Sequence, residues 1–227
     1  MAALFAMYGV AQTAYTVPFT EDFEGSSVST YWTLASSSAN HWMIGAGIGN
    51  PGNSLYITSD GSSSGYSAAT TYASAYMNVD FGNYLECTLS FDWAIMGEEG
   101  TTFNYDRVQV FSVPSDMPLP SWTATYISSS SPDVPWISGA NVYYLGTFIG
   151  QATWQHSSLL LPNYVSGSTT RKIVFLFWCD SSLNYPPVAV DNVSVTGSSC
   201  ARPSAVTVPG STIAQTTADI SWTGTAE

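Results

Sequence analysis

The segment Ile173-Val174-Phe175-Leu176-Phe177-Trp178 is apolar at every position and β-branched or aromatic at all but one. It is much shorter than the roughly 20 residues needed to cross a bilayer, so a folded chain must bury both of its faces within protein. This predicts a central strand of a layered β structure. Residues Leu85 to Ile95 alternate instead, with Cys87, Leu89, Phe91 and Trp93 on one face and Thr88, Ser90 and Asp92 on the other. That is the pattern of a half-buried strand in a sandwich. Asp106 to Val113 and Asn141 to Phe148 read in the same way, and no window carries a helical period with caps. The expected class is all-β, with two antiparallel sheets packed face to face.

Composition agrees with that class and removes several functions. Of 227 residues, 45 % are hydrophobic and 14 % aromatic, enough for a sizeable core. Lys and Arg total four (Arg107, Arg171, Lys172 and Arg202) and the formal charge is −12, so the clustered cations that a phosphate backbone demands do not exist. Nucleic acid is excluded as a partner. No apolar stretch reaches membrane-spanning length, so no transmembrane anchor is expected.

Residues 1 to 14 begin with an apolar run ending in small residues, Met1 to Ala11. This reads as a truncated secretory signal without its basic leading segment, or alternatively as a buried strand. Export would permit a disulfide among Cys87, Cys179 and Cys200, but the spacing matches no zinc site and selects no pair.

Loops rich in Ser, Gly, Asn and Pro are expected over residues 36–52, 60–72, 96–105, 114–139 and 180–187. Loops of this length in a β domain usually carry binding or metal chemistry. Trp122, Trp136, Trp154, Tyr105 and Tyr185 lie in or beside them and are the candidate ligand-binding residues, since aromatic faces stack on sugars or grip protein surfaces. Anchoring of the loops themselves is the competing role. Trp93 and Trp178, inside strands, are expected in the core or facing the opposite sheet.

Two acidic motifs bracket the chain, Phe19-Thr20-Glu21-Asp22-Phe23-Glu24-Gly25 and Val188-Ala189-Val190-Asp191-Asn192-Val193-Ser194-Val195. Read with a two-residue period, the second places Asp191 on one face with Ala189, Val193 and Val195. A carboxylate among aliphatic groups must be protonated, paired or metal-bound. With so few cations in the chain a calcium ion is the economical partner, the alternative being a carboxylate that caps a strand end at the solvent edge.

Catalysis finds little support. Glu98 and Glu99 are adjacent and point apart on an extended chain, no Gly-x-Ser-x-Gly elbow accompanies His41 or His156, and the glycines of residues 45–52 lack a following helix or Lys.

Taken in order, Phe19 to Glu24, Tyr31-Trp32-Thr33, His41 to Gly45, Asn53 to Thr58, Leu89 to Trp93, Asp106 to Phe111, Phe177 to Asp180 and Val188 to Val193 resemble the choice-of-anchor J modules. These are related to the cleaved adhesin domains of gingipain-type proteins and to MAM domains. The resemblance covers residues 16–197 and implies a jelly-roll sandwich that is non-catalytic and secreted or surface-displayed within a larger polypeptide. It also implies a structural calcium where the first and last strands meet. The matching positions are Glu24 and Asp191, with Asp92 and Asn53 as further candidates to complete a shell of six to eight oxygens. Residues 198–204 read as a linker, and residues 205–227, with Val206, Val208, Ile220 and Trp222, resemble the opening strands of a fibronectin type III domain. The function expected is calcium-stabilised binding of a glycan or extracellular protein through the loops. The alternative is a spacer or accessory domain of a secreted hydrolase, with no ligand of its own.

Overall fold

The structure, a computed structural model, describes residues 12–36, 40–98, 105–119, 141–161, 170–182, 184–199, 205–207 and 221–223. Its elements are β1 (Ala14–Thr16), β2 (Phe19–Glu21), a single helical turn α1 (Val28–Tyr31), β3 (Trp32–Ser36), β4 (His41–Gly45), β5 (Ser54–Thr58), β6 (Thr71–Asp80), β7 (Glu86–Ile95), β8 (Arg107–Pro114), β9 (Tyr143–Phe148), β10 (Gln151–Leu160), β11 (Thr170–Cys179), β12 (Val188–Ser198), β13 (Ala205–Thr207) and β14 (Ser221–Thr223).

The apolar segment that dominates the sequence lies within β11, flanked on both sides by β6 and β8. The first sheet runs β1-β6-β11-β8-β9, with β3 also on β6; the second runs β10-β7-β12-β5-β4, with β2 also on β12. Every pairing in these two sheets is antiparallel except β1 with β6. The architecture is the expected jelly-roll sandwich. Between the sheets, Phe91 meets Phe175 edge-on at 5.2 Å and Phe148 at 5.0 Å, and Trp42 is buried with its Nε1–H donating to the Ala73 carbonyl at 3.0 Å. Aromatic edge contacts of this kind add about 0.5–1.5 kcal/mol each to the area they bury.

β7 follows its predicted alternation, with Cys87, Leu89 and Phe91 buried in the core and Trp93 packed partly against it. Elsewhere the chain is more regular than its Ser and Gly content implied. Residues 41–45, expected in a loop, pair with β5 as β4, and Trp154, also expected in or beside a loop, lies on β10. Trp178 corrects the expectation that it faces the core or the opposite sheet. Its neighbours Phe177 and Cys179 take the core positions, so its ring lies on the outer side of the first sheet, against a smaller apolar cluster of Tyr76, Phe111, Val113, Leu119, Val174 and Leu176 and 5.6 Å from the Arg107 guanidinium.

The two bracketing motifs do meet. β2 pairs with the far half of β12, Glu21 opposite Val193 and Phe19 opposite Val195, whereas the near half of β12 pairs with β5, Ala189 opposite Tyr56. The change of neighbour falls at Asp191 and Asn192. There the register against β7 also shifts, and Asn192 adopts φ +50°. One extra residue at a bulge inverts the facing of everything after it. Val188 and Val190 therefore point into the core, and so do Val193 and Val195. This corrects the strict alternation: Asp191 does not share its face with Val193 and Val195, but lies with Ala189 on the outer side of the second sheet.

Cys87 and Cys179 are both buried free thiols, which removes that pair from the disulfide alternatives; Cys200 lies outside the described residues. β13 and β14 form a separate antiparallel pair with Val206 opposite Trp222. Among the described residues no helix is long and apolar enough to cross a membrane.

A β-branched side chain cannot hold the left-handed conformation at residue 192 without strain. Asn192→Val should lower stability by about 1–3 kcal/mol in urea unfolding, and Asn192→Gly by clearly less; equal losses would contradict the bulge.

Candidate metal cradle and adjoining binding face

Asp191 is 1 % exposed, and among the described residues its side chain accepts one hydrogen bond, from the Asn192 N–H at 2.7 Å. Directly opposite on β7 stands Asp92, a second carboxylate. Burial pushes the Asp191 carboxyl up to about 7 against the pull of the Asn192 N–H, and the charges of Asp92, Glu24 and Asp22 push it further. Among the described residues no basic side chain pairs with it, so a carboxyl so placed must be protonated or otherwise compensated.

The loop over residues 46–53 covers this site from outside. Gly47 lies so close to the Tyr56 ring that a Cβ there would stand 2.4 Å from it. At Gly52, φ +88°, a Cβ would come within 2.0 Å of Glu24 Oε1. Only glycine admits the Glu24 carboxylate against the backbone there. Glu24 accepts from both the backbone N–H and, at 3.0 Å, the side-chain amide of Asn53. Glu24, Asn53 and Asp191, singled out in the sequence, thus belong to one region, joined by Asp22, which was not singled out as a ligand.

Asp92 belongs to a neighbouring feature. Its Oδ2 accepts from Asn50 Nδ2 at 2.9 Å and Asn192 Nδ2 at 2.8 Å, and its Oδ1 lies 2.7 Å from His156 Nδ1. His156 Nε2 faces Ser158 Oγ at 3.3 Å, and Ser158 Oγ meets Ser90 Oγ at 2.7 Å. These residues form a row across the outer face of β7 and β10, continuous with the cover loop. Trp154 completes it: half-buried on β10, it donates from Nε1 to the Gly49 carbonyl at 3.2 Å, which lodges the indole against that loop. Asp92, His156 and Ser158 stand in the order of a hydrolytic triad, but the His156 side chain is 62 % exposed and the Ser158 hydroxyl is engaged by Ser90 at the shorter distance. An open strand face of this kind fixes hydrogen-bonding groups without the water-excluded environment that acyl transfer requires. His156 was weighed in the sequence only as a catalytic group and not as part of a polar face, because β10 was not recognised as a strand; its alternate outward positions are the missing signal, whereas Asn50, in the loop before β5, carried none.

Tyr105 and Tyr185 lie elsewhere, together at one end of the sandwich. Tyr105 N–H donates to the Glu98 carbonyl at 2.8 Å, and Tyr185, 41 % exposed, donates its N–H to Tyr66 Oη at 2.9 Å. Beside them Glu98, Asp106 and Asp180 bring one carboxylate oxygen each within 4.8 Å of the others. Asp106 is buried, accepts from Tyr66 Oη at 2.8 Å and the Asp180 N–H at 3.1 Å, and is pushed up to about 6, first by burial and then by Asp180 and Glu98. Trp122 and Trp136 lie outside the described residues.

No protein-family model matches the chain, and no curated protein matches it. Solved structures do. The K1 cleaved adhesin domain of Lys-gingipain from Porphyromonas gingivalis is 14 % identical, covering 79 % of this chain and 98 % of that one at a TM-score of 0.44. The CBM22-2 xylan-binding domain from Paenibacillus barcinonensis Xyn10C is 17 % identical, with 79 % and 99 % covered at 0.45. The enzymatically active domain of bacteriophage CBA120 tailspike protein 4 is 12 % identical at 0.43, over 74 % of this chain but only 19 % of that one.

Both raised carboxyls make the folded protein hold protons that the unfolded chain, with carboxyls near 3.8, has released. Their contribution to stability is present below about pH 4 and is lost as pH rises through about 6 for Asp106 and about 7 for Asp191. In calcium-free buffer the melting temperature is therefore expected to be higher at pH 5 than at pH 8, and the double substitution Asp106→Asn, Asp191→Asn should flatten the profile. A melting temperature that rises with pH in the unsubstituted protein contradicts the assignment.

Proposed function

We propose that this chain is a non-catalytic, extracellular binding module of a larger secreted or surface protein, which recognises glycan on its outer face and is stabilised by calcium. The observation that carries the binding reading is the indole of Trp154, half-exposed on a rigid strand and set beside a row of fixed polar groups. An aromatic plane next to pre-oriented donors and acceptors suits a sugar ring, whose faces are apolar C–H and whose rim is hydroxyl. Because these groups stand on strands, little ordering entropy opposes binding. The candidate aromatics Tyr105 and Tyr185, at the acidic end, make a smaller contribution to this reading than Trp154.

Calcium would be held by Asp191, Glu24 and the Asn53 side chain, with Asp22 beside them. Asp92, whose oxygens are engaged by Asn50, Asn192 and His156, acts next to the ion rather than on it. When bound, the ion supplies the positive charge that lets a buried Asp191 ionise. The choice-of-anchor J resemblance and the acidic composition support this reading and the export it presumes. The pairing of Val206 with Trp222 supports a fibronectin type III segment following the jelly roll.

Calcium at millimolar concentration is expected to raise the melting temperature, titrating with the logarithm of ion concentration, and chelation should reverse the effect. Asp191→Ala should abolish the response; an Asp191→Ala protein that still responds places the ion elsewhere. A glycan array probed with the full chain in calcium tests the binding reading, and silence across the array would leave the module a spacer. A fluorophosphonate probe should leave Ser158 unlabelled, and labelling there would reopen hydrolysis.

A further inference from the structure

Resting on the glycan-binding reading, we infer that the site is the outer face of β7 and β10, centred on Trp154, His156 and Asp92, and that its ligand is a neutral glycan without sulfate or uronate groups.

Charge selects the ligand. The described face carries no Lys or Arg: Arg107 lies on β8 and Arg171 and Lys172 on β11, all in the opposite sheet, and Arg202 lies outside the described residues. Arg171 is in addition buried and donates to Ser112 Oγ at 2.7 Å, so it is committed to the fold. The charged side chains that stand on the outer face of β7 are Asp92 and, further along the strand, Glu86, in a protein of net charge −12. An anionic sugar would meet like charge with no compensating cation, a cost that increases as water is displaced. A neutral sugar meets no such penalty.

Geometry selects the place. The two oxygens of Asp92 are held by Asn50, Asn192 and His156 at 2.7–2.9 Å, which fixes the carboxylate and, through it, the His156 ring. Ser158 and Ser90, bonded at 2.7 Å, extend the row along the two strands. Carboxylate, imidazole and hydroxyls together accept from and donate to vicinal sugar hydroxyls, which are themselves both donors and acceptors. Trp154, held at Gly49, stands at the loop end of the row and provides the stacking plane. The row's outward positions and its edge strand leave it open along one side, which admits a chain rather than enclosing a single small molecule.

The test uses the full chain in calcium-containing buffer, with affinity electrophoresis and calorimetry against cello-, xylo-, manno- and galacto-oligosaccharides on one side and polygalacturonate and heparan sulfate on the other. At least one neutral probe should bind and neither anionic polymer should. Trp154→Ala should weaken that binding by about tenfold or more, His156→Ala by a smaller factor, and Trp154→Phe should restore part of it. All three variants should retain the near-ultraviolet circular dichroism and the calcium response of the unsubstituted protein, which separates lost binding from lost fold. Binding of a neutral probe unaffected by Trp154→Ala and His156→Ala overturns the site while leaving the glycan reading in place. Preference for the anionic polymers overturns the ligand class. Binding of none of the probes overturns both this inference and the reading on which it rests.

Discussion

The outer side of the second sheet is organised around one carboxylate, Asp191, buried at the point where β12 exchanges one neighbour for another. A strand that keeps its alternation would either hide an aspartate in the core or leave it in water. The bulge at Asn192 avoids both: Val193 and Val195 turn back to the core after Val188 and Val190, and Asp191 is left outside, beneath a loop. The result is a buried carboxyl with which none of the described cationic side chains, Arg107, Arg171 and Lys172, forms an ion pair. Burial and the surrounding acids together raise the affinity of that carboxyl for a proton.

The loop over residues 46–53 gives this carboxyl a wider reach. Glu24 holds it at Asn53, Asp92 holds it at Asn50, and Trp154 is lodged at Gly49. Eight residues thus serve the cradle on one side and the polar row on the other. A contact that secures one end of a short loop limits the freedom of the other end, so the polar row is pre-arranged by the same elements that cover Asp191. The acidic trio, with Tyr105 and Tyr185, shares none of these contacts among the described residues and stands as a separate feature.

Much of the architecture was legible because the relevant signals are local. β7 and β11 announce themselves by alternation and by continuous apolarity. The failures have equally local causes. β4 and β10 are rich in Ser, Gln, Gly and His, so their composition imitates a loop; what makes them strands is the edge they lend to β5 and β7, a partner invisible from within the segment. Trp154, expected in or beside a loop, lies instead on a strand. Trp178 was assigned to the wrong side, because a strand apolar on both faces gives no clue to which face meets the opposite sheet.

By itself the sequence determined the class of fold, the expectation that nucleic acid is not a partner and the suspicion attached to Asp191, since these rest on composition, periodicity and the cost of a lone charge; Glu24 and Asn53 were added by the family resemblance. Only the tertiary structure decided which face Asp191 occupies, that Asp92 is secured by His156 and two asparagines, and that Trp154 stands beside them. Those facts depend on a one-residue bulge and on contacts between strands far apart in the chain. A two-residue period has no memory across an inserted residue, and the identity of a strand's neighbour is not encoded in the strand alone.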